Sequence, residues 1–449
     1  MTTQIFLAST LYGAATLAAA LDAGCFGQDA GRRVLLVSNN AAVPETTPAL
    51  DEAPGFAALR GRFDEVRSWN EAIAPFHPSG WSPREEDTVL WERHFRLAWG
   101  LGEDDVELAV ESIQAQPALG VAQIFHGAPL TVYADGLMSY GPTRIKLDPL
   151  VGTRVTRVLH LDLVPGLRPL LLTEFGVPAE LVPTDAFGKV LDELAERADD
   201  PPALPEGPAL LLGQYLSALD ILTPQEEEDL HLRLVRGAVA LGHRSLVFKP
   251  HPTAPAAWHR AVADEAERLG AELTVLDAPV LAEVLFRRIR PALVAGCFST
   301  ALLTASALHG IPVARTRTGL LLERLRPYEN SNRIPVTVVD ALLPDLDDAD
   351  AVREQRASMT VGELGELVRA VGFAMQPRIH PALRPEAERF LRGHQDARWL
   401  RYFKRRRLTG LALPGGVPDR LTFLARNRTL RGAVRRARSL RAARRPRAR

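Results

Sequence analysis

Short apolar runs alternate with helix-like segments along most of this chain, and the alternation breaks once, where residues 199–208 hold four prolines in ten positions. The first run, Ile5-Phe6-Leu7-Ala8, leads through Ser9-Thr10-Leu11-Tyr12-Gly13 into an Ala/Leu-rich stretch ending at Gly24, and a second run follows at 34–37. Parallel strands need crossover helices between them, so this beat predicts βαβ units and an α/β fold with parallel sheets. Further strands are expected at 121–125, 130–133, 155–163 and 170–173, with helix at 83–99. After the prolines the same beat returns, with strands at 209–212, 245–248, 273–276, 292–295 and 312–315 and helices at 224–241, 254–269 and 299–309. At about 100–200 residues per domain, 449 residues suit two domains and some extra. The expected division is 1–198, a Pro-rich linker at 199–208, 209–375, a helical segment at 376–412 and an Arg-rich tail at 413–449.

The charge balance of 54 basic and 54 acidic residues hides two unlike parts. Residues 401–449 hold 17 basic residues and one acid, Asp419, so residues 1–400 carry a net −16. With Leu421, Leu424, Leu430, Val434 and Leu440 spaced among the arginines, the tail suits an anionic membrane surface, and equally a polyanionic glycan or water. Cys25 and Cys297 are the only cysteines, which leaves no disulfide framework and no thiolate metal cluster. The first ten residues lack a basic n-region, and no run reaches the roughly 18 apolar residues of a spanning helix. A cytoplasmic protein, peripheral on the inner face of the plasma membrane through its tail, is expected.

No Walker loop, zinc-type His-Glu-x-x-His or Gly-x-Gly-x-x-Gly is present, and no nucleic-acid-binding motif. Three other places carry chemistry. Lys249-Pro250-His251-Pro252 follows the run Leu246-Val247-Phe248, so prolines hold an imidazole at the carboxyl end of a strand, where open parallel sheets bind ligands. Gly296-Cys297-Phe298-Ser299-Thr300 turns a strand into an apolar helix. Ser299 stands at the N-cap, a plain cap or, with Thr300 and the free N–H groups, a phosphate site. Tyr133-Ala134-Asp135-Gly136 ends a strand with a carboxylate on the other side of the linker; Asp-Gly is also a common turn dipeptide. Arg144, a little further on, either pairs with a substrate carboxylate or covers the domain surface.

Together these motifs resemble the bacterial sialyltransferases, and most closely the bacterial polysialyltransferase family, whose signatures are an acidic residue-Asp-Gly element, a His-Pro element and a Ser-Ser/Thr element. Residues 210–217 (Leu-Leu-Leu-Gly-Gln-Tyr-Leu-Ser) and 328–336 (Tyr-Glu-Asn-Ser-Asn-Arg-Ile-Pro-Val) look like further family segments, and the likeness spans roughly residues 5–375. It implies a GT-B arrangement, an acceptor-side first domain and a nucleotide-sugar-binding second domain with the active site in the cleft between them. The implied reaction is inverting transfer of sialic acid, or a related nonulosonic acid, from its CMP ester to an acceptor glycan, extending to polymerisation of a surface polysaccharide. Asp135 would serve as base and His251 would assist the departing CMP. Lys249, His251, Pro252, Ser299 and Thr300 would bind the donor and Arg144 its carboxylate, with no metal and no cofactor. One departure stands out: Ala134 occupies the place of the first acid.

Two rival readings remain. A CDP-glycerol glycerophosphotransferase of cell-wall polymer synthesis would share the two-domain fold and the His and Ser elements. From another class, a non-catalytic membrane- or polyanion-binding adaptor would act through the tail alone.

Overall fold

The computed structural model describes residues 1–27, 31–134, 136–197, 204–205, 207–251, 254 and 257–417. Most of the Pro-rich linker, 199–203 and 206, lies outside the described residues. The first sheet consists of β1 (Thr2–Ala8), β2 (Arg32–Val37), β3 (Glu65–Ser68), β4 (Asp105–Glu111), β5 (Leu130–Ala134), β6 (Val155–His160) and β7 (Ala179–Leu181), in the order β3-β2-β1-β4-β5-β6-β7. The second consists of β8 (Ala209–Leu212), β9 (Ser245–Lys249), β10 (Glu272–Val275), β11 (Leu293–Gly296) and β12 (Val313–Arg315), in the order β10-β9-β8-β11-β12. Every strand pair among them is parallel. The α/β expectation of two Rossmann-like units therefore holds. In each sheet the order reverses beside the first strand, at β1/β4 and at β8/β11, and such switch points are where open parallel sheets open a crevice for ligands.

Several expected elements differ. Residues 121–125 fall largely in a helix, Ala118–Ile124, because Pro117 opens a turn whose Gly120 N–H is taken by the Gln116 side chain at 2.8 Å. A short apolar run alone does not separate a buried strand from a buried helix turn. Residues 170–173 form no strand: Leu172 adopts φ +61° and starts the turn Thr173–Phe175. β3, β4 and β7 have no counterpart among the expected strands.

One face of the first sheet packs Ile5 and Leu7 of β1, Val106, Leu108 and Val110 of β4 and Val132 of β5 against the aromatic side chains of Trp69, Phe95, Trp99 and Phe125. The other face packs Phe6, Ala109, Tyr133 and Leu159 under helix Leu11–Asp22, and this core runs on without interruption into the second sheet. Helix Thr184–Arg197 meets helix Ala282–Ile289 across the join, where Arg287 pairs with Asp192 and Arg288 donates to the Ala195 carbonyl. Helix Val361–Met375 then returns to the first sheet: a Cβ at Gly372 would lie against Leu170 and Pro142, and Gln376 Nε2 donates to the Arg144 carbonyl at 2.9 Å.

The first basic residues of the C-terminal segment are structural pegs. Arg401 pairs with buried Asp340, Lys404 donates to the Glu323 carbonyl, and Arg407 pairs with Glu329 and reaches the carbonyls of Ala374 and Met375. Residues 418–449, the greater part of the tail, lie outside the described residues. Among the described residues no helix is long and apolar enough to cross a membrane.

Candidate active site

Three loops of the second sheet meet at the carboxyl ends of β9, β8 and β11. After β8, Gly213 donates its N–H to the Lys249 carbonyl at 2.9 Å, and a Cβ there would lie 2.9 Å from Phe248 Cζ and 3.2 Å from Pro250 Cα. Glycine is what lets this loop pass so close to the His-Pro turn. Gln214 then bridges to the third loop, its Oε1 accepting the Phe298 N–H at 3.3 Å while its own N–H donates to His231 Nε2 at 3.3 Å. The wholly buried Glu227 accepts from the N–H groups of Leu216 and Ser217 and from the Ser217 hydroxyl. A buried carboxylate is kept only where such donors replace water, and here the donors fix the loop that separates the two sequence motifs.

His251 follows β9, its ring 6.4 Å from that of Tyr215, which in turn meets Trp258 edge-on at 5.6 Å. The residue is open to solvent on its outer side. Desolvation by the walls around it holds its imidazole below the usual histidine range; Glu227 opposes that shift and Lys249 adds to it. The ring is therefore neutral at neutral pH and offers an N–H rather than a full charge. Lys249 turns to the neighbouring strand's end, donating to the Ala278 carbonyl in the loop after β10 at 3.2 Å. Burial lowers its pKa, against the pull of Glu283 and Asp277, and burial pushes Glu283 itself up to about 7. Ser299 caps helix Thr300–His309, its hydroxyl accepting the Ala301 N–H at 3.3 Å. Pro252 lies outside the described residues, as does Asp135.

The first sheet brings its own carboxyl edge to this place. A Cβ at Gly136, just after β5, would sit 3.1 Å from Thr300 Oγ1, and Tyr12 Oη is 3.4 Å from Thr304 Oγ1. Arg144 is half-buried beyond the same edge; its backbone N–H is taken by Gln114, and its guanidinium makes no hydrogen bond or ion pair with a described residue. Desolvation lowers the Arg144 pKa.

The structure thus brings His251, Ser299 and Thr300 to one sheet edge, sets Gly136 against Thr300, and turns Lys249 to the loop after β10. Sequence reasoning misses Glu227 and the bridging role of Gln214; the run Gly213-Gln214-Tyr215 directly after a buried strand is the available signal. Among the described residues no group of three or more His, Cys, Asp or Glu side chains is placed to hold a metal ion.

Similar solved structures include a sialyltransferase from Photobacterium damselae, its residues 113-497 corresponding to the GT-B domain, at 12% identity over 76% of this chain and 96% of that one, TM-score 0.41. They also include the S. aureus MnaA-UDP co-structure, at 14% identity over 85% of this chain and 96% of that one, TM-score 0.44. Medicago truncatula UGT71G1 complexed with UDP-glucose is similar at 10% identity over 86% of this chain and 98% of that one, TM-score 0.43. A comparison with curated protein sequences finds no match. Residues 4–316, which hold the loops after β5, β9 and β11, match the family described as Alpha-2,8-polysialyltransferase (POLYST). The chain belongs to the alpha-2,8-polysialyltransferase family, and it is a glycosyltransferase.

Proposed function

We propose that the protein transfers sialic acid, or a related nonulosonic acid, from its CMP ester to a hydroxyl of an acceptor glycan with inversion, and without a metal. The observation that carries this reading is the contact of Gly136 with Thr300, which sets the loop after β5 against the Ser-Thr helix start. In this reading the acceptor approaches from the first sheet and the second sheet holds the nucleotide, on opposite faces of the transferred sugar.

Asp135 accepts the acceptor proton as the hydroxyl attacks. A carboxylate of ordinary pKa, about 3.9, is far too weak a base to deprotonate a sugar hydroxyl beforehand, so proton transfer accompanies bond formation. The anomeric centre passes through an oxocarbenium-like transition state, as in glycoside cleavage. His251 donates its N–H to the departing phosphate, and the helix start at Ser299 and Thr300 adds hydroxyls and a favourable dipole. Arg144 pairs with the sugar carboxylate.

Arg144 also separates this reading from the CDP-glycerol one, because glycerol phosphate has no carboxylate next to its reacting centre. In Arg144→Ala, affinity for CMP-sialic acid falls about tenfold to a hundredfold, the value of one lost charge-assisted hydrogen bond. Affinity for CMP alone stays within about twofold. Titration calorimetry with both ligands checks this. Equal loss for the two ligands, or none for either, would remove Arg144 and the carboxylate donor from the account.

A further inference from the structure

Building on the sialyl-transfer reading above, we propose that Gln214 is a further nucleotide-binding residue of the site, its side-chain NH₂ group donating to the phosphate between His251 and the helix start at Ser299. Gln214 is the second residue after β8, the central strand of the second sheet. The two neighbours of that strand are β9, which leads to His251, and β11, which leads to Ser299. This is the crevice where the sheet reverses its order.

The loop that carries Gln214 is fastened by its backbone. Gly213 donates its N–H to the Lys249 carbonyl, Gln214 to His231 Nε2, and Leu216 and Ser217 to the carboxylate of Glu227. His231 and Glu227 both stand on helix Pro224–Ala240, so the loop is held against that helix and the His-Pro turn. The Gln214 side chain is left to reach the third loop, where its Oε1 accepts the Phe298 N–H at 3.3 Å. A backbone N–H can only donate, so the end of the carboxamide beside Phe298 is the oxygen and the other end is the NH₂ group. Gln214 is half-buried; its Nε2 makes no hydrogen bond with a described residue and is reached by solvent. Phe298 directly precedes Ser299, so an amide fixed on the Phe298 N–H stands beside the start of the ten-residue helix Thr300–His309.

The groups that meet here are hydrogen-bond donors: the Gln214 NH₂ group, the neutral His251 ring, the hydroxyls of Ser299 and Thr300, and the first N–H groups of the helix. Glu227, the carboxylate of this loop, is wholly buried, and both its oxygens are taken by Leu216 and Ser217. A phosphate, whose outer oxygens accept, is the chemical complement of such a set. The Gln214 contact strengthens as the sugar leaves, because charge then gathers on the phosphate.

The test compares the full-length wild type with Gln214→Glu and Gln214→Met, measuring by calorimetry the affinities for CMP and for cytidine, which lacks the phosphate, beside the melting temperature. Gln214→Glu keeps an oxygen for the Phe298 N–H but sets a carboxylate where the NH₂ group stood. CMP affinity therefore falls about 10²-fold, whereas cytidine affinity stays within about threefold. Gln214→Met loses the hydrogen bond without adding a charge, and its CMP affinity falls about tenfold. Were Gln214 only a brace for the loop before Ser299, the order would reverse, since the Glu variant retains the brace and the Met variant does not. A Glu variant that binds CMP as tightly as the Met variant, or more tightly, would overturn the assignment, as would equal losses for CMP and cytidine. If the wild type binds CMP but does not turn over CMP-sialic acid, the sialyl-transfer reading fails and the comparison still decides the role of Gln214. A wild type that binds no CMP overturns both.

Discussion

Replacing Asp135 by alanine lowers acceptor-dependent transfer by about 10²–10⁴-fold while donor affinity stays within about threefold. The split follows from the architecture. In the proposed mechanism donor contacts come from the second sheet, through His251, Ser299 and Thr300, whereas position 135 follows the end of β5 at Ala134 in the sequence and precedes Gly136, which lies against Thr300. Removing the base therefore spares the nucleotide and removes only what acts as the acceptor bond forms. Single-turnover rates beside calorimetric donor binding separate the two effects. Retention of more than about a tenth of the wild-type rate would mean that proton transfer is carried elsewhere.

The second large effect is on stability. Asp340 is wholly buried and accepts hydrogen bonds from Thr318 Oγ1 at 2.6 Å and Tyr402 Oη at 2.8 Å, while Arg401 approaches to 2.5 Å and Arg315 to 3.4 Å. Burial first, and Asp340 next, push the Tyr402 phenol well above its usual range, so it remains a donor to this carboxylate. Asp340→Ala opens a cavity, leaves the Thr318 and Tyr402 hydroxyls without their charged acceptor and removes one partner each of Arg401 and of Arg315, which keeps Asp345, at a cost of about 3–5 kcal/mol. Urea unfolding measures the loss, and limited proteolysis finds the segment around Trp399–Phe403 released first. An unchanged unfolding midpoint would show that the C-terminal segment is held by its apolar contacts alone.

The second domain is more legible in the sequence than the first, for a physical reason. β8, β9 and β11 are continuous apolar runs buried on both faces, which is how a central parallel strand reads. β4 is central too, yet Asp105, Glu107 and Glu111 interrupt it, and only the alternation of Val106, Leu108 and Val110 marks it as a strand. His251 and Ser299 are legible because proline and an N-cap act locally, on their own strand and helix ends. Glu227 and Asp340 are not, since each gathers partners far apart in the chain: Glu227 reaches back to Leu216 and Ser217, and Asp340 forward to Tyr402. Charge alone does not show that Arg401 and Arg407, among the C-terminal arginines, serve to fasten the fold.

The most direct test is to incubate the purified full-length protein with CMP-sialic acid in EDTA, with and without a sialylated acceptor, and to measure CMP release beside His251→Ala. The account predicts release that the acceptor stimulates, that EDTA leaves unchanged and that the substitution abolishes. No binding and no turnover of CMP-sialic acid under any of these conditions would contradict it.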